Sequence, residues 1–544
     1  MNKDSCFSFN KSTPFCSLII STYMRTRSIL AIALLISTCS YSQEPVDALR
    51  YAWTGTGGTA RMQAVGGATT ALGGDITSTF TNPAGLGMYK TNEFVLTPGF
   101  RFLSNNTDYR NNSTSDSKSS FNYGTTGFVF GLPSSGNRSW RGFSFGLALN
   151  RTANFNNDVT LKGSNNQSSY SEKYLEELVN NNVTDPNAAA NNYPYGASLA
   201  FNTYLVDTMN DASGNLSGYR SLATVGTGLT QQQKISTKGG ITDFAFGGSA
   251  NLLDKFYFGG SIGISMLNYE RTSSFTESDA TTNTANDFNY FISDDYLKTS
   301  GVGINLNAGI IYKPIEFLRL GLSFHSPTWY QLKDQYKSTV TTDLEGYAGA
   351  GLKSQSSTDF NNGQLGEYNY NYTTPWRAAL GIAYVFREDR DTHNQKGFIS
   401  ADVEYINYTN SSFKAQGSAD QSDKDYFTGV NNKIDAAFKS AVNFRIGGEL
   451  KFNTFMVRAG YSIYTNPYTN AYFNNQSADE VKANHMNVSA GIGWRDKGMF
   501  VDLTGIYLIS NDAYFPYRLD QGVFNAAKVK SNGADIFLTV GFKF

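Results

Sequence analysis

The chain has 544 residues, room for several ordinary domains or for one large β-barrel. Its formal charge is −1 and charged residues are 16%, which removes the basic footprint of a nucleic-acid binder. The 34 Tyr, 39 Phe and 52 Gly beside 12 Pro and 3 Cys point to aromatic-rich strands joined by tight turns.

Residues 1–42 read as an address rather than as structure. From Met24 the chain runs "MRTRSILAIALLISTCSYSQ": two arginines, an apolar run from Ile29 to Ile36, then small residues ending at Ser42. That is the layout of a secretory signal peptide cleaved after Ser42, with Met24 the expected true start. Thr38 is bulky for the residue before a lipidated cysteine, so Cys39 is not taken as an anchor. Cys6, Cys16 and Cys39 all leave with the signal, and the mature chain has no thiol chemistry.

Residues 43–92 follow, glycine-rich and apolar: "ALRYAWTGTGGTARMQAVGGATTALGGDITSTFTNPAGLGMYKTN" from Ala48. A phosphate-binding loop needs a lysine and a Ser or Thr after its glycines, but Asp75 and Ile76 follow Gly74. The segment is too long and apolar for a free tail. A plug folded into a barrel lumen fits it, with Asn82, Pro83, Ala84 and Gly85 forming a tight bend just before the first strand.

Residues 93–544 alternate. In "GADIFLTVGFKF", Ile536, Leu538, Val540, Phe542 and Phe544 share one face, opposite Asp535, Thr539 and Lys543. "AVNFRIGGELKF", "FMVRAGYSIY" and "WRAALGIAYVF" repeat the pattern. Strands are predicted near 93–104, 121–131, 142–153, 239–252, 256–271, 299–313, 317–334, 373–386, 396–408, 440–452, 455–465, 484–495, 498–509 and 533–544, about fourteen in all. They are longer than sandwich strands, and short turns ("LDK", "KPIE", "FN", "RDKG") alternate with long polar excursions. No later segment has about 18 consecutive apolar residues. An all-β outer-membrane barrel of about fourteen antiparallel strands, with short periplasmic turns and long outer loops, accounts for each of these features. Closure follows from the bilayer, which gives unpaired strand edges no water to bond. Trp376, Tyr405, Trp494 and Tyr507 suit interfacial girdles.

The loop 154–238 is expected to be partly helical. "YSEKYLEELV" sets Tyr170, Tyr174, Leu175, Leu178 and Val179 on one side, and "ASLAFNTYLVDTM" does the same with Phe201, Tyr204, Leu205 and Met209.

Signal, glycine-rich segment with Asn82-Pro83-Ala84, and a barrel closing in Phe544 resemble the outer-membrane transporters of long-chain fatty acids and aromatic hydrocarbons, the FadL and toluene-porin family. "GLSFHSP" at Gly321, "RIGGEL" at Arg445 and "VRAGYSIYTNPY" at Val457 extend the resemblance over nearly the whole mature chain. The resemblance implies a hatch at 43–92, gating through Asn82, Pro83, Ala84 and Gly85, and uptake of hydrophobic small molecules by diffusion across the outer membrane of a Gram-negative bacterium. It also implies hatch movement, lateral exit through a gap in the wall, a monomer bathed in outer-membrane lipid, and no cofactor or metal. The family's outer helices form a docking groove, which makes Tyr174, Leu175, Leu178, Phe201, Tyr204 and Leu205 capture candidates, or else a packed lid. Parity turns Arg377, Asp402, Glu404, Arg445, Glu449, Lys451, Arg458 and Lys543 inward. Arg377, Arg445 and Arg458 are candidates for a carboxylate headgroup, unless the charges pair with one another. His325, His393 and His485 have no Ser or Asp at catalytic spacing, and no enzyme is expected. The alternative function is a barrel of a type IX-like secretion apparatus or a structural outer-membrane protein.

Overall fold

The computed structural model describes residues 45–544, apart from 54, 56, 136–138, 282, 350, 387–395, 418–419, 474–482 and 521–523. The expected signal peptide and His393 lie outside the described residues. The described residues open with two helices, α1 (Pro45–Ala52) and α2 (Ala60–Ala64), and two short 3-10 segments, Ile76–Thr79 and Pro83–Met88.

A closed antiparallel sheet follows. Its fourteen staves are β1 with β2 (Glu93–Leu96, Pro98–Tyr109); β3 with β4 (Asn112–Tyr123, Thr126–Pro133); β5 with β6 (Trp140–Asn154, Asn157–Asn165); β9 (Leu229–Leu252); β10 (Phe256–Asp279); β11 (Tyr290–Ile315); β12 with β13 (Leu318–His325, Trp329–Asp343); β15 with β16 (Gly366–Thr373, Arg377–Phe386); β17 with β18 (Gly397–Asn407, Ser412–Ala415); β19 (Ser440–Phe452); β20 (Phe455–Tyr464); β21 (His485–Asp496); β22 (Met499–Tyr514) and β23 (Ala527–Lys543). β1 and β2 pair with β23, which closes the ring. A hairpin of β7 (Val206–Asn210) and β8 (Leu216–Ser221), and the short β14 (Lys353–Ser356), decorate the outer end.

Parity decides what faces where. On β10, Phe256, Phe258, Ile262, Ile264 and Met266 point out and are exposed, whereas Tyr257, Ser261, Ser265 and Leu267 point in and are buried. β16, β20 and β23 behave alike: Leu380, Val457 and Leu538 are exposed, and Arg458 and Asp535 are buried. Over this band the outer surface is thus apolar while polar and charged side chains such as Arg458 and Asp535 face inward, the arrangement a bilayer stabilises. Short turns lie at one end; at Lys497-Gly498 both residues have positive φ, as a type I′ hairpin requires.

The strands run longer than parity suggested. β9, β10 and β11 have 24, 24 and 26 residues, because the sheet continues past the apolar band into an extension whose outer face is polar and whose inner face carries Leu229, Phe275 and Phe291. Three helices, α3 (Glu172–Asn180), α4 (Pro186–Asn191) and α5 (Ala197–Asn202), and the β7–β8 hairpin roof that extension. A sixth helix, α6 (Gln421–Ala437), enters the mouth between β18 and β19. The second predicted helix is therefore only half right. α5 stops at Asn202; Tyr204 has φ +61, and Val206–Asn210 is a strand whose Met209 is exposed. The β-branched Val206 and Thr208 and the turn at Asp211–Gly214 favour the hairpin over a continued helix.

Candidate functional site

Residues 59–92 lie against the inner wall, and the wall is cut to receive them. Inward glycines pair across adjacent strands, Gly259 with Gly309, Gly321 with Gly381 and Gly447 with Gly460. A Cβ on any of these six would come within 3.0 Å of other atoms; for five of them these belong directly to Val65, Gly66, Thr70, Asn82, Pro83 or Ala84, and for Gly381 they include Thr70 and Ala71. Hydroxyls between the glycines bind the segment's main chain. Ser489 and Thr504 donate to the carbonyls of Ala64 and Ala60 at 2.9 and 2.6 Å, Ser261 to that of Thr79 at 2.8 Å and Ser249 to that of Ala84 at 3.0 Å. The Asp402 carboxylate accepts from the amides of Thr69 and Thr70 at 2.7 and 2.9 Å and from the Thr70 hydroxyl at 2.8 Å.

The stretch Asn82–Gly87 is one of these fitted turns. The Asn82 side-chain oxygen accepts from the Ala84 amide, and Pro83 occupies the first position of the 3-10 turn. The Asn82 amide nitrogen donates to Thr70 O at 2.6 Å and reaches Ile310 O and Leu322 O on the wall at 3.3 and 3.4 Å. Ala84 is fully buried, and Gly85 sits where a Cβ would strike Ser78 and Gly73.

The candidate arginines are engaged. Arg445 bonds Glu404 at 2.7 Å. Arg458 bridges Glu449 and Asp502, both at 2.6 Å, and Glu449 also holds Arg61 of α2 at 3.0 Å, tying the N-terminal segment to the wall. Arg377 lines two small cavities beside His325 and has partners of its own. Parity thus placed these charges correctly, and the geometry has them pairing with one another. His325 faces the Thr81 carbonyl, and His485 faces Asp512 at 3.6 Å.

A seam of the wall between β3–β4 and β5 is interrupted. β4 ladders with β5 only from Thr126 opposite Leu149 towards the short-turn end. Beyond that point β3 pairs with β2 alone, while Asn150, Arg151, Ala153 and Asn154 of β5 pair only with β9. The N-terminal segment lies in this seam: the Gly55 amide donates to Thr152 O at 3.0 Å, and Thr125 donates to Gly58 O at 3.1 Å. Gly124 permits the approach, because a Cβ there would collide with the Gly58 carbonyl. Outward of the seam, Arg151 lies over the Tyr123 ring at 5.7 Å.

A cavity of about 290 Å3 opens beside the seam, with Trp53, Leu103, Phe155, Leu508 and Phe537 in its lining and the Arg101–Asp535 pair at its edge. Trp53 stands between Tyr464 and His485, with centroids at 5.5 and 4.4 Å. Above it a second cavity of about 540 Å3 lies between α3 and residues 513–518. Val46 and Arg50 of α1 border this upper cavity and Trp53 borders the lower one, so α1 stands between the two. α1 is held by Tyr51 donating to Thr299 Oγ1 at 3.0 Å and by Tyr372 donating to Ala48 O at 2.6 Å.

The roof residues form a packed core rather than an open groove. Tyr174, Leu178 and Leu205 are buried together with Phe275 and Phe291, and Leu175, Phe201 and Tyr204 pack against them half-buried. Of the six, Tyr174 also reaches the upper cavity. A gap in the wall was implied by the resemblance, but the position of the seam, the glycine wall and α6 were not foreseen. α6 did carry a signal, with Phe427, Val430, Ile434 and Ala437 at helical spacing and buried.

No family model matches the sequence, and no curated protein sequence is similar to it. Among solved structures, a Pseudomonas aeruginosa FadL homologue aligns over 91% of this chain and 100% of its own, at 13% identity and a TM-score of 0.54. The Pseudomonas putida toluene transporter TodX covers 90% and 99% at 13% identity, with a TM-score of 0.47. The Ralstonia pickettii toluene transporter TbuX covers 90% and 99% at 13% identity, with a TM-score of 0.46. The shared property is the fold: a fourteen-strand membrane barrel of the FadL type.

Proposed function

We propose that the chain is an outer-membrane channel for hydrophobic small molecules, with residues 43–92 as its hatch. The observation that carries this reading is the seam. A cavity lined by both apolar and polar side chains, Trp53, Phe155 and Leu508 beside Arg101 and Asp535, abuts a stretch of wall where β3 and β5 share no backbone ladder among the described residues. A ligand enters under the roof, displaces α1, settles beside Trp53 and leaves sideways when Gly55–Gly58 withdraws from the seam. Each methylene removed from water is worth about 0.8 kcal/mol, so an alkyl or aryl ligand favours the cavity over water and the bilayer over the cavity mouth. Lateral exit spares it a second passage through water. The ring closes on itself, so a monomer suffices. Asn82, Pro83, Ala84 and Gly85 anchor the hatch in this scheme, and Tyr174 takes part in capture. The fatty-acid and toluene proteins that share the fold support the ligand class without naming the ligand.

The test is uptake of labelled oleate and labelled toluene by cells producing the protein. Expected is uptake of at least one above cells lacking it. Absence of both, together with a secretion defect on deletion, would instead establish the secretion-barrel alternative.

A further inference from the structure

The roof contains a buried acid that none of the foregoing uses. Glu277 lies near the outer end of β10, eleven residues past Met266 (277 − 266), the last exposed apolar residue of that strand's outward band. At about 3.3 Å per residue it stands roughly 35 Å along the strand from the band's edge, well outside the membrane. It is completely buried. Its carboxyl accepts from the Ser169 hydroxyl, from the Tyr170 amide at 3.2 Å and from Gln231 Nε2 at 2.6 Å. Ser169 and Tyr170 form the turn that starts α3, so this one side chain joins the roof helix to β9 and β10. Gln231 continues the network to Tyr517 at 3.1 Å and accepts from Tyr109 at 2.8 Å.

The surroundings favour the neutral acid. The ring of Tyr170 stacks on Phe275 at 4.7 Å beside it, and among the described residues no lysine or arginine forms an ion pair with it. The ionisable groups around the site are Tyr170, Glu172 and Lys173 on the α3 side, Tyr109 and Arg110 on the hairpin of β2 and β3, Tyr517 and Arg518 after β22, and Asp279 on its own strand. β9 offers only Gln231 and Gln233, and β11 only Phe291 and Ser293. Lys173 is turned onto the Tyr170 ring and Arg110 onto Tyr109. Burial, opposed by the three hydrogen bonds and aided slightly by Glu172, pushes the Glu277 carboxyl up to about 7. The protonated form is also well bonded, because a hydroxyl can reverse its role: Glu277 donates to Ser169, which donates to Ser171 at 2.6 Å, which donates to Ser221 at 2.6 Å.

We propose that Glu277 is a protonation-controlled tether of the roof: as the neutral acid it holds α3 shut over the upper cavity, and as the carboxylate it releases it. The sign follows from linkage. The docked carboxyl binds its proton more tightly than an undocked one near 4.5, so docking is strongest below that value and weakens as pH rises through about 7. That α3 admits ligand rests on the channel reading; that it undocks with pH does not.

The test is hydrogen–deuterium exchange of the amides from Tyr170 to Val179 in the full detergent-solubilised protein, corrected for intrinsic rate, at pH 5 and pH 8. Local opening should rise roughly 10- to 100-fold between the two, as expected for a shift of this size. Glu277→Gln should be flat across that range, while amides of α6 stay insensitive in both proteins. A wild-type profile without pH dependence overturns the proposal, as does the same dependence in the variant. Should the variant misfold, the wild-type profile alone decides. Failure of oleate and toluene uptake would refute the channel and leave this result untouched.

Discussion

The two halves of the N-terminal segment are held in different ways. Residues 59–92 touch the wall through close main-chain approach at six inward glycines, through serine and threonine hydroxyls and through the Asp402 carboxylate. Residues 45–58 are held by side chains instead: Ala48, Leu49, Tyr51 and Ala52 are buried in an apolar cluster, two tyrosine hydroxyls and the Trp53 stack add to it, and two main-chain bonds lie at the seam. A wall that cannot accept even a methyl group gives the lower half one position. The upper half rests on apolar packing of α1 and on tyrosine hydrogen bonds at about 1 kcal/mol each, contacts that do not mould the main chain as the glycine wall does. On the proposed channel reading, that difference would separate the roles: the lower half as seal and the upper half as the part that moves.

That contrast can be attacked from both sides. The largest effect is expected from Asp402→Ala, which strips two buried amides of their acceptor at about 1–3 kcal/mol each and should expose Gly66–Ala71 to limited proteolysis. Next comes Gly460→Val, which drives a side chain into the Gly66 main chain. Overpacking costs about 1–3 kcal/mol, so the unseated population should rise about 5- to 160-fold and appear as open-channel conductance in planar bilayers. Gly124→Ala should act first on the upper half, displacing Gly58 from the seam, since its methyl meets the Gly58 carbonyl far more closely than the end of the Gln63 side chain. Exchange should then quicken around Trp53 while Ala60–Met88 stays protected. If Ala60–Met88 also loosens, the two halves are one body and the contrast fails. The smallest effect belongs to Tyr372→Phe, one bond to α1 worth about 1 kcal/mol, seen as roughly fivefold faster exchange of α1 amides.

The barrel was legible because lipid enforces parity: each strand crossing the bilayer must show apolar side chains outward, and Phe256 to Met266 do so without exception apart from Gly260. Above the band that pressure ends. Stretches such as Asn112–Ser120 are polar on both faces, so their strands carried no signal. The turn at Asn82 was legible from Asn, Pro and Gly chemistry, but its partner was not. Gly309, Gly447 and Gly460 read as ordinary inward positions, and only the fold shows them to be a mould. Glu277 reads as one more acid in a polar loop, since nothing in "FTESDATT" reports burial.

The height of β9, β10 and β11 has its own consequence. Thirteen residues of β10, from Met266 to Asp279 (279 − 266), rise beyond the apolar band, a run of about 40 Å at 3.3 Å per residue. The structure is therefore a chimney as much as a pore. On the proposed channel reading, its mouth opens clear of the headgroups, and a water-shy molecule taken in there would cross that charged, hydrated layer inside protein without ever dissolving in it.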